Sequence, residues 1–390
     1  MSGSPVLAER WRLSWRREWP TTRVMVLLAA TDTAAVPGIS AAGATPEARR
    51  ATAAADAELL VLGPEAWRPH ALPPLPAGVS PALISHVVSR ELGLAPLVVD
   101  LGCAVAPAIP HLRLPAPAGA GAARCLSSGA AMKRQRVTSL LEQGRRWGQR
   151  LARQSPTAPL LLAECVPGGT TTALAVLRGL GIAADGLVSG SLRQPAHALK
   201  QALVEQGMAA AAHRLQGVAA WSDPLAVVAA LGDPMQPIAA GLLMEAAGAG
   251  VPVALAGGSQ MAAVLALALA LTPPGQRPGL LARTGLATTR WVAHETGSDL
   301  VRLLGHLGRH WQVEAPLAFR CSLGFPPPCH PALAAYEEGY VKEGVGAGGL
   351  AVVWELSGRD PEALARHCDV ACARLHAPVA ELRPRQPGNG

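Results

Sequence analysis

The chain has 390 residues, 50% hydrophobic, 16% charged and 3% aromatic, a composition that buries a large core and excludes an intrinsically disordered chain. Its formal net charge is +7, but only three of its 34 basic residues are Lys and only 13 residues are aromatic; platforms for stacking single strands are scarce, and no nucleic-acid partner is expected. Seven cysteines with no Cys-x-x-Cys pair suggest neither a disulfide framework nor a zinc ribbon and fit a reducing cytoplasm.

In chain order, residues 1–20 carry Trp11, Trp15 and Trp19 on one helical face among arginines. They predict an amphipathic helix docked on the body or on a second subunit, with an interfacial membrane helix as the alternative. No continuous apolar core of the kind a signal peptide needs is read here. From Arg23 onward, short apolar runs alternate with Ala/Leu-rich helical stretches. Val24–Ala30, Leu59–Gly63, Leu97–Leu101, Leu160–Glu164, Gly186–Ser189 and Val251–Ala256 read as buried strands, because they are continuously apolar.

Alternating strands and helices predict an α/β protein: a Rossmann-like, mostly parallel sheet with helices on both faces, spanning 21–325. The Pro/Gly/Ala-rich stretch 113–124 reads as a connection, followed by a basic helix from about Met132 to Gln154. The uncharged run Ala246–Gln276 is broken by Pro252, Gly257-Gly258 and Pro273-Pro274, leaving a buried core helix too short for a stable membrane span. After Pro326-Pro327-Pro328, helices at Pro331–Lys342 and Pro361–Leu375 predict a small helical subdomain over 326–383, and 384–390 is expected to fray.

The strongest local chemistry is Glu164-Cys165-Val166-Pro167-Gly168-Gly169-Thr170-Thr171-Thr172-Ala173, a glycine turn between a strand and a helix. Free N–H groups at the helix start, with glycine access and Thr hydroxyls, suit an oxyanion; a plain glycine turn with a Thr cap is the alternative. Glu164 falls at a strand's carboxyl end, where open α/β sheets bind ligands. The same grammar recurs at Gly257-Gly258-Ser259-Gln260, so two helix starts point to one crevice, or else Gly257-Gly258 only permits close packing. A third feature is Lys342-Glu343-Gly344-Val345-Gly346-Ala347-Gly348-Gly349. A carboxylate among glycines can approach a ligand and abstract a proton, and a solvent-exposed Glu paired to Arg is the competing reading. Asp233 and Gln236, with Gln260 and Lys342, are candidate crevice residues. His306 with His310, and His367 with Cys368 and Cys372, have ligand-like spacing without a completing set, and no metal is expected.

Taken together, E-C-V-P-G-G-T-T-T-A at 164–173, G-D-P-M-Q-P at 232–237, A-G-G-S-Q-M at 256–261, T-T-R-W-V at 288–292 and V-K-E-G-V-G-A-G-G at 341–349 resemble the nicotinate-nucleotide-dependent phosphoribosyltransferase-like family of cyanobacteria and archaea. That family is related to nicotinate-nucleotide:dimethylbenzimidazole phosphoribosyltransferase. The similarity runs from about Val24 to Trp354, including V-P-G-I-S at 36–40 and S-P-A-L-I-S at 80–85. The resemblance implies transfer of ribose 5-phosphate from nicotinate mononucleotide to a benzimidazole or purine base, giving an α-ribotide for the lower ligand of a cobamide. It also implies a homodimer and no cofactor, with nicotinate mononucleotide as substrate.

By motif, the resemblance implies that Gly168, Gly169, Thr170, Thr171 and Thr172 hold the phosphate, with Gly257, Gly258, Ser259, Gly344 and Gly346 completing the phosphate and ribose site. Glu343 would be the general base and Glu164 would face the ring. Pro167-Gly168-Gly169-Thr170 departs from the family's Gly-x-Gly-Asn-Thr version. The pyridinium nitrogen of the donor is already cationic and leaves without a protonating acid. No Asp-Asp pair, of the kind that pyrophosphate donors use with Mg²⁺, occurs in the chain. A protein that binds the nucleotide or base without turnover is the competing class.

Overall fold

A computed structural model describes residues 3–114, 121–215 and 221–377. Among the described residues seven strands form one sheet: β1 Arg23–Leu28, β2 Pro96–Asp100, β3 Leu112–Arg113, β4 Leu160–Cys165, β5 Val253–Ala256, β6 Thr284–Thr288 and β7 Leu317–Arg320. Their order is β3-β2-β1-β4-β5-β6-β7, and every neighbouring pair is parallel. The chain winds outward from β1 through β2 to β3, returns to β4 on the other side of β1, and then winds the opposite way. The order therefore reverses between β1 and β4, the switch point where such sheets open a crevice at their carboxyl ends.

Side-chain parity explains the continuous apolar runs. In β1, Met25 and Leu27 enter the core on one face while Val24, Val26 and Leu28 enter the other. Likewise Leu160 and Leu162 of β4 part from Leu161, Ala163 and Cys165. A strand buried on both faces needs apolar residues at every position.

Two expected strands are not strands. Leu59–Gly63 is the end of the helix Pro46–Leu62, with Gly63 as its C-cap; a short apolar run does not by itself distinguish a buried helical turn from a strand. Gly186–Ser189 is a loop, and the amide of Ser189 donates to Ser259 Oγ at 2.9 Å rather than to a ladder. Conversely, β3, β6 and β7 were not anticipated, because T-G-L-A-T and L-A-F-R are too short and too mixed to stand out.

The helix Arg134–Gln154 lies close to its expected position and Pro361–Leu375 matches it, whereas the expected helix Pro331–Lys342 stops at Glu337. Tyr340 N then returns to Ala335 O, and positive φ at Gly339, Val341 and Lys342 turns the chain toward the sheet. The expected frayed segment 384–390 lies outside the described residues.

The N-terminal helix Pro5–Glu18 docks through its tryptophans. Trp11 stacks on Phe319 of β7 with ring centroids 4.3 Å apart, Trp15 stacks on Trp11 at 5.0 Å, and Trp11 Nε1 donates to Val253 O at 3.3 Å. The aromatic stripe is therefore a core element. Among the described residues no helix is long and apolar enough to cross a membrane. The uncharged run 246–276 is instead the end of Met235–Gly248, β5 and the buried helix Ser259–Leu271.

Candidate active site

At the carboxyl ends of the central strands lies a cavity of about 430 Å³. Glu164 sits one residue before the end of β4, and the turn after it opens the helix Gly169–Gly179. Gly168 has φ 79°, and a Cβ there would lie 2.8 Å from Ala34 N. Both conformation and close approach require glycine, so this turn is built to press backbone against backbone. The helix Ser259–Leu271 starts after β5 and Gly257-Gly258, and it meets the first helix at the cavity, where Gly168, Gly169, Thr170, Gly258, Ser259 and Gln260 all contribute to the wall.

The third expected motif closes over them. Val345 N donates to Glu164 O at 2.9 Å, tying the Glu343 loop to the end of β4. At Gly348, in the helix Ala347–Leu356, a Cβ would collide with the backbone at Thr288–Thr289 and with Glu343 Oε2. Only glycine lets this helix start reach the end of β6. Val341, Lys342 and Val345 hold φ of 64°, 63° and 53°, a cluster of left-handed non-glycine residues around Glu343 of the kind that persists where the surroundings over-determine it.

Glu343 is fully engaged. Its Oε2 accepts from Thr288 Oγ1 at 3.0 Å and Thr289 N at 2.9 Å, while Oε1 accepts from Gly344 N at 3.1 Å and Gly348 N at 3.0 Å. Burial nevertheless raises its pKa above the usual carboxylate range, against the pull of those donors. Glu164 accepts from Val166 N at 3.0 Å. Burial first, and then the neighbouring Glu343 and Asp233 carboxylates, push its pKa up to about 8. Glu164 is thus mostly a neutral acid at neutral pH, and positive charge placed beside it would draw its proton off.

This has a testable consequence for stability. Because the native state holds a proton on Glu164 that the unfolded chain releases near pH 4.5, Glu164 costs stability progressively as pH rises from about 4.5 to about 8. Glu164→Gln carries no such cost. Its stability relative to the parent is expected to improve by about 3–4 kcal/mol between pH 5 and pH 8 in urea titrations; a pH-independent difference would contradict the assignment.

The remaining expected residues divide into wall and support. Lys342, Glu343 and Gly344 line the cavity. Thr171 and Thr172 are buried beneath it, and the Thr172 hydroxyl donates to Asp233 Oδ2 at 2.6 Å. Asp233, whose pKa burial raises to about 6, also accepts from Met235 N, while Gln236 accepts from Asp233 N. Asp233 and Gln236 therefore brace the first helix start from below. Gly257 adjoins Glu164, and Gly346 packs against Ala163 of β4. Among the weaker candidates, His306 bonds the Ala183 carbonyl and His310 packs edge-on to Trp311. His367 packs on Trp354, Cys368 is in the core, and Cys372 lies instead beside His330 and His376.

Three residues that sequence reasoning missed, Glu295, Lys200 and Asp56, shape the site. Lys342 Nζ pairs with Glu295 Oε1 at 2.8 Å, both side chains being almost wholly buried, and donates to Leu192 O at 2.6 Å. Nearby Lys200 donates to Ser189 O at 2.6 Å, and burial lowers its pKa to about 8. Asp56, from the helix Pro46–Leu62, reaches the cavity wall. A lone charged residue inside an Ala-rich helical stretch carries no sequence signal for this. The rarity of Lys, with two of three clustering here, was the one available hint.

Two glycine-bounded helix starts, with the buried Glu164 and the partly buried Glu343 over the switch-point cavity of a parallel sheet, are suited to binding a phosphorylated ligand. The family model described as DBI_PRT, phosphoribosyltransferase, matches residues 81–277, and the chain belongs to this phosphoribosyltransferase family, making it a pentosyltransferase. Among curated relatives it is 50% identical to a UPF0284 protein of Prochlorococcus marinus over 373 residues, covering 94% of this chain and 90% of that protein. It is 51% identical to a UPF0284 protein of Parasynechococcus marenigrum over 360 residues, 91% of this chain and 87% of that protein. Among solved structures, CobT from Thermus thermophilus shares the fold with a TM-score of 0.54 at 20% identity, covering 93% of this chain and 96% of that chain. A second structure, the nicotinate-nucleotide-dimethylbenzimidazole phosphoribosyltransferase of the same organism, matches at TM-score 0.53 and 19% identity, over 98% and 99% of the two chains.

Proposed function

We propose that this phosphoribosyltransferase moves ribose 5-phosphate from nicotinate mononucleotide to a benzimidazole or purine base, forming the α-ribotide of a cobamide lower ligand. The observation that carries the reading is the pairing of Glu343 and Glu164 over one cavity bounded by two helix starts. The phosphate sits at the start of the helix Gly169–Gly179, beside Thr170 on the cavity wall, with the Ser259 helix start next to it. Lys200 and Lys342 add positive potential from below. Thr171 and Thr172 act through packing and through Asp233.

In the reaction the acceptor ring nitrogen forms a bond to ribose C1′ as the bond from C1′ to the pyridinium nitrogen breaks. The electron pair of that bond stays on nicotinate, which leaves as a neutral pyridine ring and needs no acid. The acceptor N–H proton passes to Glu343. Its four hydrogen-bond positions are filled, and only the Thr288 hydroxyl among the four donors can rotate aside, so proton acceptance begins with that rotation. Glu164, once deprotonated by the cationic donor, stabilises positive charge developing on the ribose. The chain works as a cytoplasmic homodimer in this reading.

The test is nicotinate release from nicotinate mononucleotide with dimethylbenzimidazole, benzimidazole and adenine as acceptors. Release coupled to ribotide formation with at least one base is expected, and chelation should leave it unchanged. Saturable donor binding without release across the panel would overturn the reading in favour of a non-catalytic nucleotide-binding protein.

A further inference from the structure

The cavity wall contributed by residues 72–81 and the helix Pro46–Leu62 differs in chemistry from the helix starts. Leu72, Pro73, Pro74, Leu75, Val79 and Pro81 make it apolar, suited to the faces of a planar base. Set into this wall is one carboxyl, Asp56, with 6% relative exposure. Ser80 Oγ donates to its Oδ1 at 2.6 Å and Cys165 Sγ to its Oδ2 at 3.5 Å. Among the described residues no cation pairs with it. Arg68, also on the wall, directs its guanidinium to the carbonyls of Gly63, Pro64 and Ala66.

A carboxylate offers about four acceptor positions, so roughly half of those on Asp56 are unused. The reaction proposed above asks nothing of it: Glu343 takes the acceptor proton, and the phosphate is bound elsewhere. Yet a buried acid without a cation is costly to maintain, since burial disfavours its charged form, and an apolar residue of the same size would pack the wall more favourably. A partner supplied by the ligand resolves this cost.

We infer that Asp56 is a specificity residue for the acceptor base, accepting a hydrogen bond from a second N–H donor such as an exocyclic amino group, so that the site selects an aminopurine-type base over a dialkylbenzimidazole. This rests on the phosphoribosyl-transfer reading for its role in catalysis, though not for base recognition itself. A benzimidazole has a single ring N–H, which Glu343 consumes; its methylated edge would leave Asp56 desolvated and unmatched. A 6-aminopurine presents one N–H to Glu343 and keeps an amino donor for Asp56. Pockets built around a hydrogen-bonding group reject analogues lacking the partner far more strongly than apolar pockets reject an extra methyl.

The test is calorimetric titration of the full chain with 6-aminopurine, unsubstituted purine and 5,6-dimethylbenzimidazole, repeated on Asp56→Leu and Asp56→Asn. The parent is expected to bind 6-aminopurine at least about tenfold more tightly than purine, the low end for a hydrogen bond to a charged group. Asp56→Leu should bring that ratio to within about twofold of unity while purine affinity moves by less than about threefold, a selective change that a merely structural role would not produce. Asp56→Asn keeps the size and the Ser80 contact, should lower the ratio several-fold, and decides the matter if the Leu variant does not fold. A parent ratio near unity, no binding of 6-aminopurine, or a ratio unchanged by substitution overturns the inference. Nicotinate release assayed in parallel keeps the two readings apart: the selectivity with no turnover on any base would sink the transferase reading alone, and turnover without the selectivity would sink the role of Asp56 alone.

Discussion

Glu343→Gln is expected to lower turnover by about 10²–10⁴-fold, the usual worth of a positioned general base, while donor affinity stays within about threefold. The donor phosphate is held at the helix starts, so losing the base leaves ground-state binding in place. The geometry adds a complication that the sequence conceals. Both oxygens of Glu343 accept two hydrogen bonds, and three of the four donors are backbone amides. An amide can be tolerated only with its NH₂ toward Thr288, whose hydroxyl can turn to accept, and Thr289 N then loses its partner. A stability loss of about 1–3 kcal/mol should accompany the kinetic effect. Turnover, donor titration and urea denaturation on the same variant separate the two. Full activity, or a loss explained entirely by weaker donor binding, would remove Glu343 from the chemistry.

Glu295→Ala should be the most destabilising single change at the site, by about 3–5 kcal/mol, because it strands a buried cation. Lys342 Nζ lies 2.8 Å from Glu295 Oε1, with side chains 2% and 4% exposed, and Lys200 is a second buried ammonium that Glu295 helps to keep charged. Removing the acid leaves both without their counter-charge. The double variant Glu295→Leu, Lys342→Met should recover the share of the loss due to Lys342, since replacing a buried pair by apolar groups is near neutral, while Lys200 still lacks its counter-charge. Urea midpoints for the single and double variants check this, and a single-variant loss below about 1 kcal/mol would show that the pair is solvated.

The legible parts of the sequence were those where one local rule decides the outcome. Glu164 at a strand end, Gly168-Gly169 opening a helix and Glu343 among glycines were all identifiable, since backbone approach demands glycine irrespective of distant partners. What was not legible depends on the third dimension. Asp56 is an unremarkable position in an Ala-rich helix until Ser80 and Cys165 fold against it. Glu295 gains meaning only from Lys342. The expected strand at Gly186–Ser189 failed for the same reason: its amide is claimed by the side chain of Ser259 rather than by a neighbouring strand.

The reversal of strand order at β1 and β4 has a kinetic meaning. Arg23 pairs with Leu160 only after the whole excursion through β2 and β3 is closed, and Glu164, Asp56 and Glu343 come from stretches that no local segment brings together. Loop-closure entropy must be overcome before any of these contacts returns stabilisation, which makes parallel sheets of this kind slow to form and prone to aggregate while their strand edges are bare. Neither half of the polypeptide holds a complete pocket, so splitting the chain between β3 and β4 should yield fragments that bind neither nucleotide nor base, and ligand affinity should return on refolding with the slowest phase of sheet formation.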